Sequence, residues 1–209
     1  MRTFKYIGVI FLLLLSCKQE TKNSQAQSLP YFNSADFTPE WGVKTHKIPD
    51  FSFVNQNGQT ITNDTYKGKI YIADFFFTTC PGICPKLTNS MNVIQDFYAK
   101  DDDVMLLSHS VMPWIDTVDK LKKYAEAHNV NDSKWNLVTG DKDAIYSIAR
   151  NGYFADEDFK KTSDDSNFIH TENFILVDKQ GYIRGVYNGT LEVDIHRLKR
   201  HIDLLKKEM

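Results

Sequence analysis

The chain has 209 residues, of which three are cysteines, 25 are basic and 27 acidic, for a net charge of −2 with histidine neutral. That length can bury one real core, and neither a repeat nor a long low-complexity segment divides it. No basic stretch is interleaved with aromatic residues, so charge patterning argues against a nucleic-acid partner.

Met1-Arg2-Thr3-Phe4-Lys5 is basic and Tyr6 to Leu15 is almost wholly apolar. This is the pattern of a signal peptide, too short for an ordinary membrane-spanning helix. The leader ends in Leu14-Leu15-Ser16-Cys17, which resembles the bacterial lipobox, where cleavage before the cysteine is followed by acylation of the new N-terminus. On this reading residues 1–16 are a lipoprotein signal peptide. Acyl chains on Cys17 would hold the protein at a membrane surface rather than across it, with the domain in the cell envelope, outside the cytoplasm. Lys18 stands where an aspartate would signal inner-membrane retention, which leans towards the outer membrane; a plain secretory leader with a chance cysteine is the alternative. Removing residues 1–16 takes away Arg2 and Lys5 and leaves 23 basic against 27 acidic residues, a more acidic mature chain. Lys18 to Asn33 is polar with little to bury, so residues 17–43 read as the lipidated cysteine and a flexible tether, and residues 44–209 as the domain.

Within the domain, Phe51 to Val54 and Gln59 to Thr62 flank Asn57-Gly58, a strong hairpin signal. Ile70 to Phe77 is continuously apolar except for Asp74, as expected of a central strand buried on both faces. Leu87, Met91, Ile94 and Phe97 follow at helical spacing. Val104 to Val111 reads as a second buried strand, and Val118, Leu121, Tyr124 and Ala125 as a helix opening at Asp116-Thr117. Trp135 to Val138 is a short strand, and Asp141 caps a helix through Ala149. Asn151 to Asn167 is polar, acidic and aperiodic, a long surface loop of the kind that tends to be functional. Thr171 to Val177 and Tyr182 to Tyr187 form a hairpin around Lys179-Gln180-Gly181. Leu191 to Lys207 closes the chain as an amphipathic helix, apolar at Ile195, Leu198, Ile202 and Leu205. Alternating strands and helices with a terminal hairpin and helix describe an α/β, thioredoxin-like fold: a central mixed sheet flanked by helices, with a hairpin at its N-terminal side.

The chemistry concentrates in Thr78-Thr79-Cys80-Pro81-Gly82-Ile83-Cys84-Pro85, on the loop leaving the first long strand, where open α/β sheets place their sites. Pro85 suits the first turn of a helix, so the chain turns helical at about Cys84, and Gly82 offers a permissive backbone for the fold-back. The two sulfurs can converge, and a helix N-terminus favours both as thiolates. Two thiolates suit Cu(I) or Zn(II) rather than Mg or Ca; they could equally close a disulfide. The Cys-x-x-x-Cys spacing is one residue wider than the usual redox pair. Of six histidines, His46 lies at the tether boundary, His128, His196 and His201 on or near polar helix faces, and His109 inside a strand. His170 closes the polar loop just before a strand, across from the cysteine loop in a thioredoxin-like sheet. A neutral imidazole there could complete a Cys80, Cys84, His170 ligand set, the alternative being a satisfied loop histidine.

These residues resemble the Sco/SenC family of copper chaperones for cytochrome c oxidase assembly, over roughly residues 44–205. The resemblance is carried by Ile48-Pro49-Asp50-Phe51 with the Asn57-Gly58 hairpin, by the strand into Thr79-Cys80-Pro81-Gly82-Ile83-Cys84-Pro85, and by His170 before Phe174-Ile175-Leu176-Val177-Asp178. It implies that Cys80, Cys84 and His170 bind copper, as Cu(I), Cu(II) or both. It also implies metallation, or thiol maintenance, of the binuclear copper site on a cytochrome c oxidase subunit, with other copper chaperones or thiol reductants as further partners. Family members usually carry an aspartate where Met112 stands, before Pro113; Asp116 matches the later acidic position. A membrane-anchored metallochaperone is therefore the reading, and a metallochaperone need not be an enzyme. A thiol-disulfide reductase acting through Cys80 and Cys84 is the alternative. A peroxidase is disfavoured because no Pro-x-x-x-Thr-x-x-Cys setting precedes Cys80.

Overall fold

The computed structural model describes residues 28–155 and 171–208. In chain order the strands are β1 (Tyr31–Phe32), β2 (Pro39–Glu40), β3 (Ser52–Asn55), β4 (Thr60–Thr62), β5 (Ile70–Phe76), β6 (Val104–Ser110), β7 (Trp135–Thr139), β8 (Asn173–Val177) and β9 (Ile183–Asn188). The helices are α1 (Cys84–Phe97), α2 (Val118–Ala127), α3 (Lys142–Ser147) and α4 (Glu192–Lys207). Seven strands form one mixed sheet in the order β4-β3-β7-β6-β5-β8-β9. β5, β6 and β7 run parallel, because α1 and α2 provide the crossovers between them. The outer pairs are antiparallel. This is the predicted thioredoxin-like α/β architecture.

Each face of the sheet carries a core. Ile70, Ile72 and Phe76 of β5 point to one side, against Leu87, Met91 and Ile94 of α1, Leu121 of α2, and Leu198 and Ile202 of α4. Tyr71, Ala73 and Phe75 point to the other, against Phe53, Ile145 of α3 and Tyr153. The period-2 alternation of a strand thus feeds both cores, which is why β5 reads as unbroken apolar sequence. The first hairpin turns where expected: Gly58 takes φ 73°, a left-handed backbone that glycine adopts without a Cβ clash, and its N–H donates to the Asn55 carbonyl. Thr117 and Asp141 cap α2 and α3, accepting from the Lys120 and Ala144 backbone N–H groups. After α3 the chain makes a π-helical turn, Ile148–Gly152, and buries Tyr153 and Ala155. The first residues of the expected surface loop are therefore packed; residues 156–167 of that loop lie outside the described residues.

The largest departure is at the N-terminal side. The tether was expected to reach residue 43, yet residues 28–43 pack on the domain. β1 pairs with β2, and Leu29 and Tyr31 are buried. The cause is Arg184 on β9, itself buried. Its guanidinium donates to the Leu29 carbonyl at 2.6 Å, the Pro30 carbonyl at 3.0 Å, Glu208 at 2.6 Å and Asp178 at 3.2 Å, and it lies 4.1 Å from the Tyr31 ring centre. A buried cation must be fully bonded to be tolerated, and the strap supplies two of its acceptors. Among the described residues no helix is long and apolar enough to cross a membrane.

Candidate metal centre

β5 delivers the chain to the cysteine loop at its carboxyl end. The Cys80 N–H donates to the Phe77 carbonyl at 3.2 Å, forming a tight turn. α1 begins at Cys84, with Pro85 in its first turn and Ile83 as N-cap. Proline lacks the N–H that would be left unpaired there, so the sequence starts the helix at this point. Gly82 does not take a left-handed φ, and a Cβ there would meet nothing within 4 Å. The fold-back therefore does not require glycine, contrary to expectation.

Both cysteines are free thiols, Cys80 partly exposed and Cys84 buried at 3% exposure, and the two are close enough that each shifts the other's proton affinity. The predicted convergence of the sulfurs is met; the expectation that both are favoured as thiolates holds for Cys80 and fails for Cys84. For Cys80, burial would raise the pKa. It is outweighed by the hydrogen bond with Cys84 and by bonds from the backbone of Cys84, Gly82 and Ile83, which hold the thiol below its ordinary value. For Cys84, burial first and the Cys80 contact second push the thiol up to about 12. The loop therefore presents one accessible, acidified sulfur backed by one buried, protonated sulfur.

Two groups beneath the pair were not singled out from sequence. Asp74, the lone charge in β5, is 2% exposed and accepts a hydrogen bond from Ser108 Oγ, which in turn accepts from Trp135 Nε1. Burial raises its pKa to about 7, with Ser108 working against the rise. Tyr124 of α2 shares a hydrogen bond with Thr88 of α1 at 2.7 Å. Burial lifts its hydroxyl to about 12, with smaller contributions from Cys84 and Asp74. The interruption of an otherwise apolar strand is the visible signal for Asp74; the spacing of α2 marks Tyr124 as a helix-face residue and nothing more.

Beside the cysteine loop, Asp116 is fully buried. It accepts from Thr78 N at 3.0 Å, Thr78 Oγ1 at 2.5 Å and Ser110 Oγ at 2.6 Å. Met112 is half-buried and donates its N–H to Ser110 Oγ at 3.2 Å. Ile83, 37% exposed, is a large apolar side chain between the two cysteines in sequence.

His170, the expected third ligand, and Cys17, the expected lipidation site, lie outside the described residues. The other five histidines are engaged elsewhere. His46 Nε2 pairs with the Gly152 carbonyl at 2.7 Å, and His109 is buried among Phe51, Phe53, Phe75 and Tyr153. His128 packs on Tyr124, His196 faces Glu192 at 3.5 Å, and His201 Nδ1 pairs with Tyr187 at 2.7 Å. No group of three or more metal-binding side chains occurs among the described residues. The thiol pair itself fits a soft metal: two convergent sulfurs, free of any disulfide, at a strand end.

The SCO1/SenC family model matches residues 41–203 of this chain. The SCO1 protein homolog of Bacillus subtilis is 34% identical over 149 residues, covering 69% of this chain and 75% of that protein. Among solved structures, a SCO1/SenC family lipoprotein from Bacillus anthracis superposes with a TM-score of 0.67 at 28% identity, covering 77% of this chain and 95% of that one. BsSco, described as a member of the Sco family of cytochrome c oxidase assembly proteins with a disulfide switch, superposes with a TM-score of 0.65 at 28% identity, covering 77% and 93%.

Proposed function

The chain belongs to the SCO1/SenC family, and we propose that it is a membrane-anchored metallochaperone that carries copper to the binuclear copper site of a cytochrome c oxidase subunit. The observation that carries this reading is the convergence of two free thiols, Cys80 and Cys84, at the carboxyl end of β5. Thiolates are soft donors, matched to Cu(I). His170 is proposed as the third ligand, a reading supported by its place in the sequence just before β8 and by the family resemblance. Copper is cargo here: it is bound and passed on. Binding must displace the thiol protons, and Cys80 gives up its proton more readily than Cys84 because the surrounding backbone already favours its charge.

The anchor is proposed to be lipid on Cys17, with residues 1–16 removed and the domain held outside the cytoplasm; the Bacillus anthracis relative is itself a lipoprotein. Acceptance of copper at an oxidase subunit is supported by the family's association with oxidase assembly, the role ascribed to BsSco. Thiol-disulfide exchange on that subunit is the competing use of the same atoms, suggested by the contrast between the partly exposed, acidified Cys80 and the buried Cys84.

Mixing the Cu(I)-loaded, full-length chain in detergent with an apo copper-site domain of an oxidase separates the two. The chaperone reading expects one equivalent of copper to move to the acceptor, and none when a Cys80→Ser, Cys84→Ser double variant replaces the native chain. Reduction of an oxidised acceptor without any transfer of copper would overturn it in favour of the reductase.

A further inference from the structure

We propose that Asp116 is a positioning residue for the thiol site: its carboxylate fixes the Cys80 loop to the end of β6 and so sets where the Cys80 sulfur stands against Cys84. The inference rests on the copper-binding reading above and adds to it a residue that touches neither sulfur.

An aspartate just before a helix is ordinarily a cap, but Asp116 does not cap α2. Thr117 does that, through Lys120 N. Asp116 points inward instead, with no exposed surface. Its Oδ2 accepts from Thr78 N at 3.0 Å and from Ser110 Oγ at 2.6 Å, and its Oδ1 accepts from Thr78 Oγ1 at 2.5 Å. Lys120 Nζ stands 3.9 Å from Oδ1, and the Asp116 N–H donates to the Met112 carbonyl at 2.8 Å.

Thr78 is two residues before Cys80, and the Cys80 N–H donates to the Phe77 carbonyl at 3.2 Å across the turn that contains it. Val111 N donates to the Phe76 carbonyl at 2.9 Å, so the ends of β5 and β6 are already in register. Asp116 extends that register beyond the sheet and into the loop. Both hydrogen-bond donors of Thr78 are spent on one carboxylate, which holds the residue in translation and in rotation. Hydrogen bonds to an ionised carboxylate are stronger than neutral ones, and a buried carboxylate is tolerated only when its oxygens are bonded. Metal affinity depends on such outer partners, whose loss typically costs ten- to a hundredfold.

The test uses the full-length reduced chain in detergent with two readouts, Cu(I) affinity by chelator competition and the rate of Cys80 alkylation without copper. Asp116→Asn and Thr78→Val should each weaken Cu(I) binding by about tenfold or more and change the alkylation rate. The double variant should be no worse than the poorer single one. Thr78→Ser, which keeps both donors, should restore native values. Ser110→Ala removes the bond that ties the same carboxylate to the end of β6, and should shift Cu(I) affinity and the alkylation rate in the same direction as Asp116→Asn. Asp116→Asn and Thr78→Val variants that lose stability but keep native affinity and native alkylation rate would overturn the proposal. If the native chain binds no Cu(I), the copper reading fails, and the alkylation rates alone decide the role of Asp116: changed in both variants it stands, unchanged it falls.

Discussion

Replacing Asp74 by Asn should change how the stability of this protein depends on pH. Burial raises the Asp74 pKa from an ordinary 3.8 to about 7, so between these values the folded state holds a proton that the unfolded state has lost. Stability then falls as pH rises through that window. At about 1.4 kcal/mol per pH unit the full penalty is about 4 kcal/mol, most of which, about 3 kcal/mol, accrues between pH 5 and pH 8. His109 works in the opposite direction. Burial lowers its pKa from 6.5 to about 3, so its contribution is present above pH 6.5 and is lost as pH falls, by about 2 kcal/mol at pH 5. The two nearly cancel in the native chain, and the difference between variants is therefore the informative quantity. Asn keeps the shape and can accept from Ser108 Oγ as Asp74 does, but cannot ionise. Urea denaturation at pH 5 and pH 8 should show Asp74→Asn gaining about 3 kcal/mol over the native chain across that interval. Parallel pH profiles for the two proteins would refute the argument that Asp74 is a buried acid that ionises only near neutrality.

Two further outcomes follow from the same contacts. Brief treatment with iodoacetamide at pH 7 should label Cys80 well before Cys84, because only Cys80 is both partly exposed and acidified; peptide mass mapping showing equal labelling would contradict this. Arg184→Ala should destabilise the fold by about 3–5 kcal/mol, since it strands Asp178 and Glu208 and frees the 28–43 strap. Denaturant titration showing a loss below about 1 kcal/mol, or unchanged protease resistance of the strap, would count against that role.

The parts of the fold that sequence reveals are those written as a period. β5 shows as an apolar run because both of its faces are buried, and α4 as a 3.6-residue repeat because Ile195, Leu198, Ile202 and Leu205 share one face. Asn57-Gly58 is legible because the turn needs a left-handed residue. The strap is not, because two-residue strands carry no period and their partner, Arg184, is about 150 residues away in sequence. At the site, the types and spacing of the cysteines disclose that two sulfurs can meet. Their inequality depends on burial, which places Cys84 under the loop and Cys80 at its rim. Asp116 reads from sequence as part of the opening of α2 and as the family's later acidic position, and its inward bonds to Thr78 and Ser110 are visible only in the packing of β6 against the cysteine loop. His170 was named from its place before β8, and lies outside the described residues.

The most direct measurement is the stoichiometry and affinity of Cu(I) for the reduced full-length chain, beside the Cys80→Ser, Cys84→Ser double variant and His170→Ala. Binding of one copper per chain, abolished in the double variant and weakened at least about tenfold in His170→Ala, is the expected result. Copper bound as tightly by the double variant as by the native chain would contradict the assignment of these thiols as the metal site.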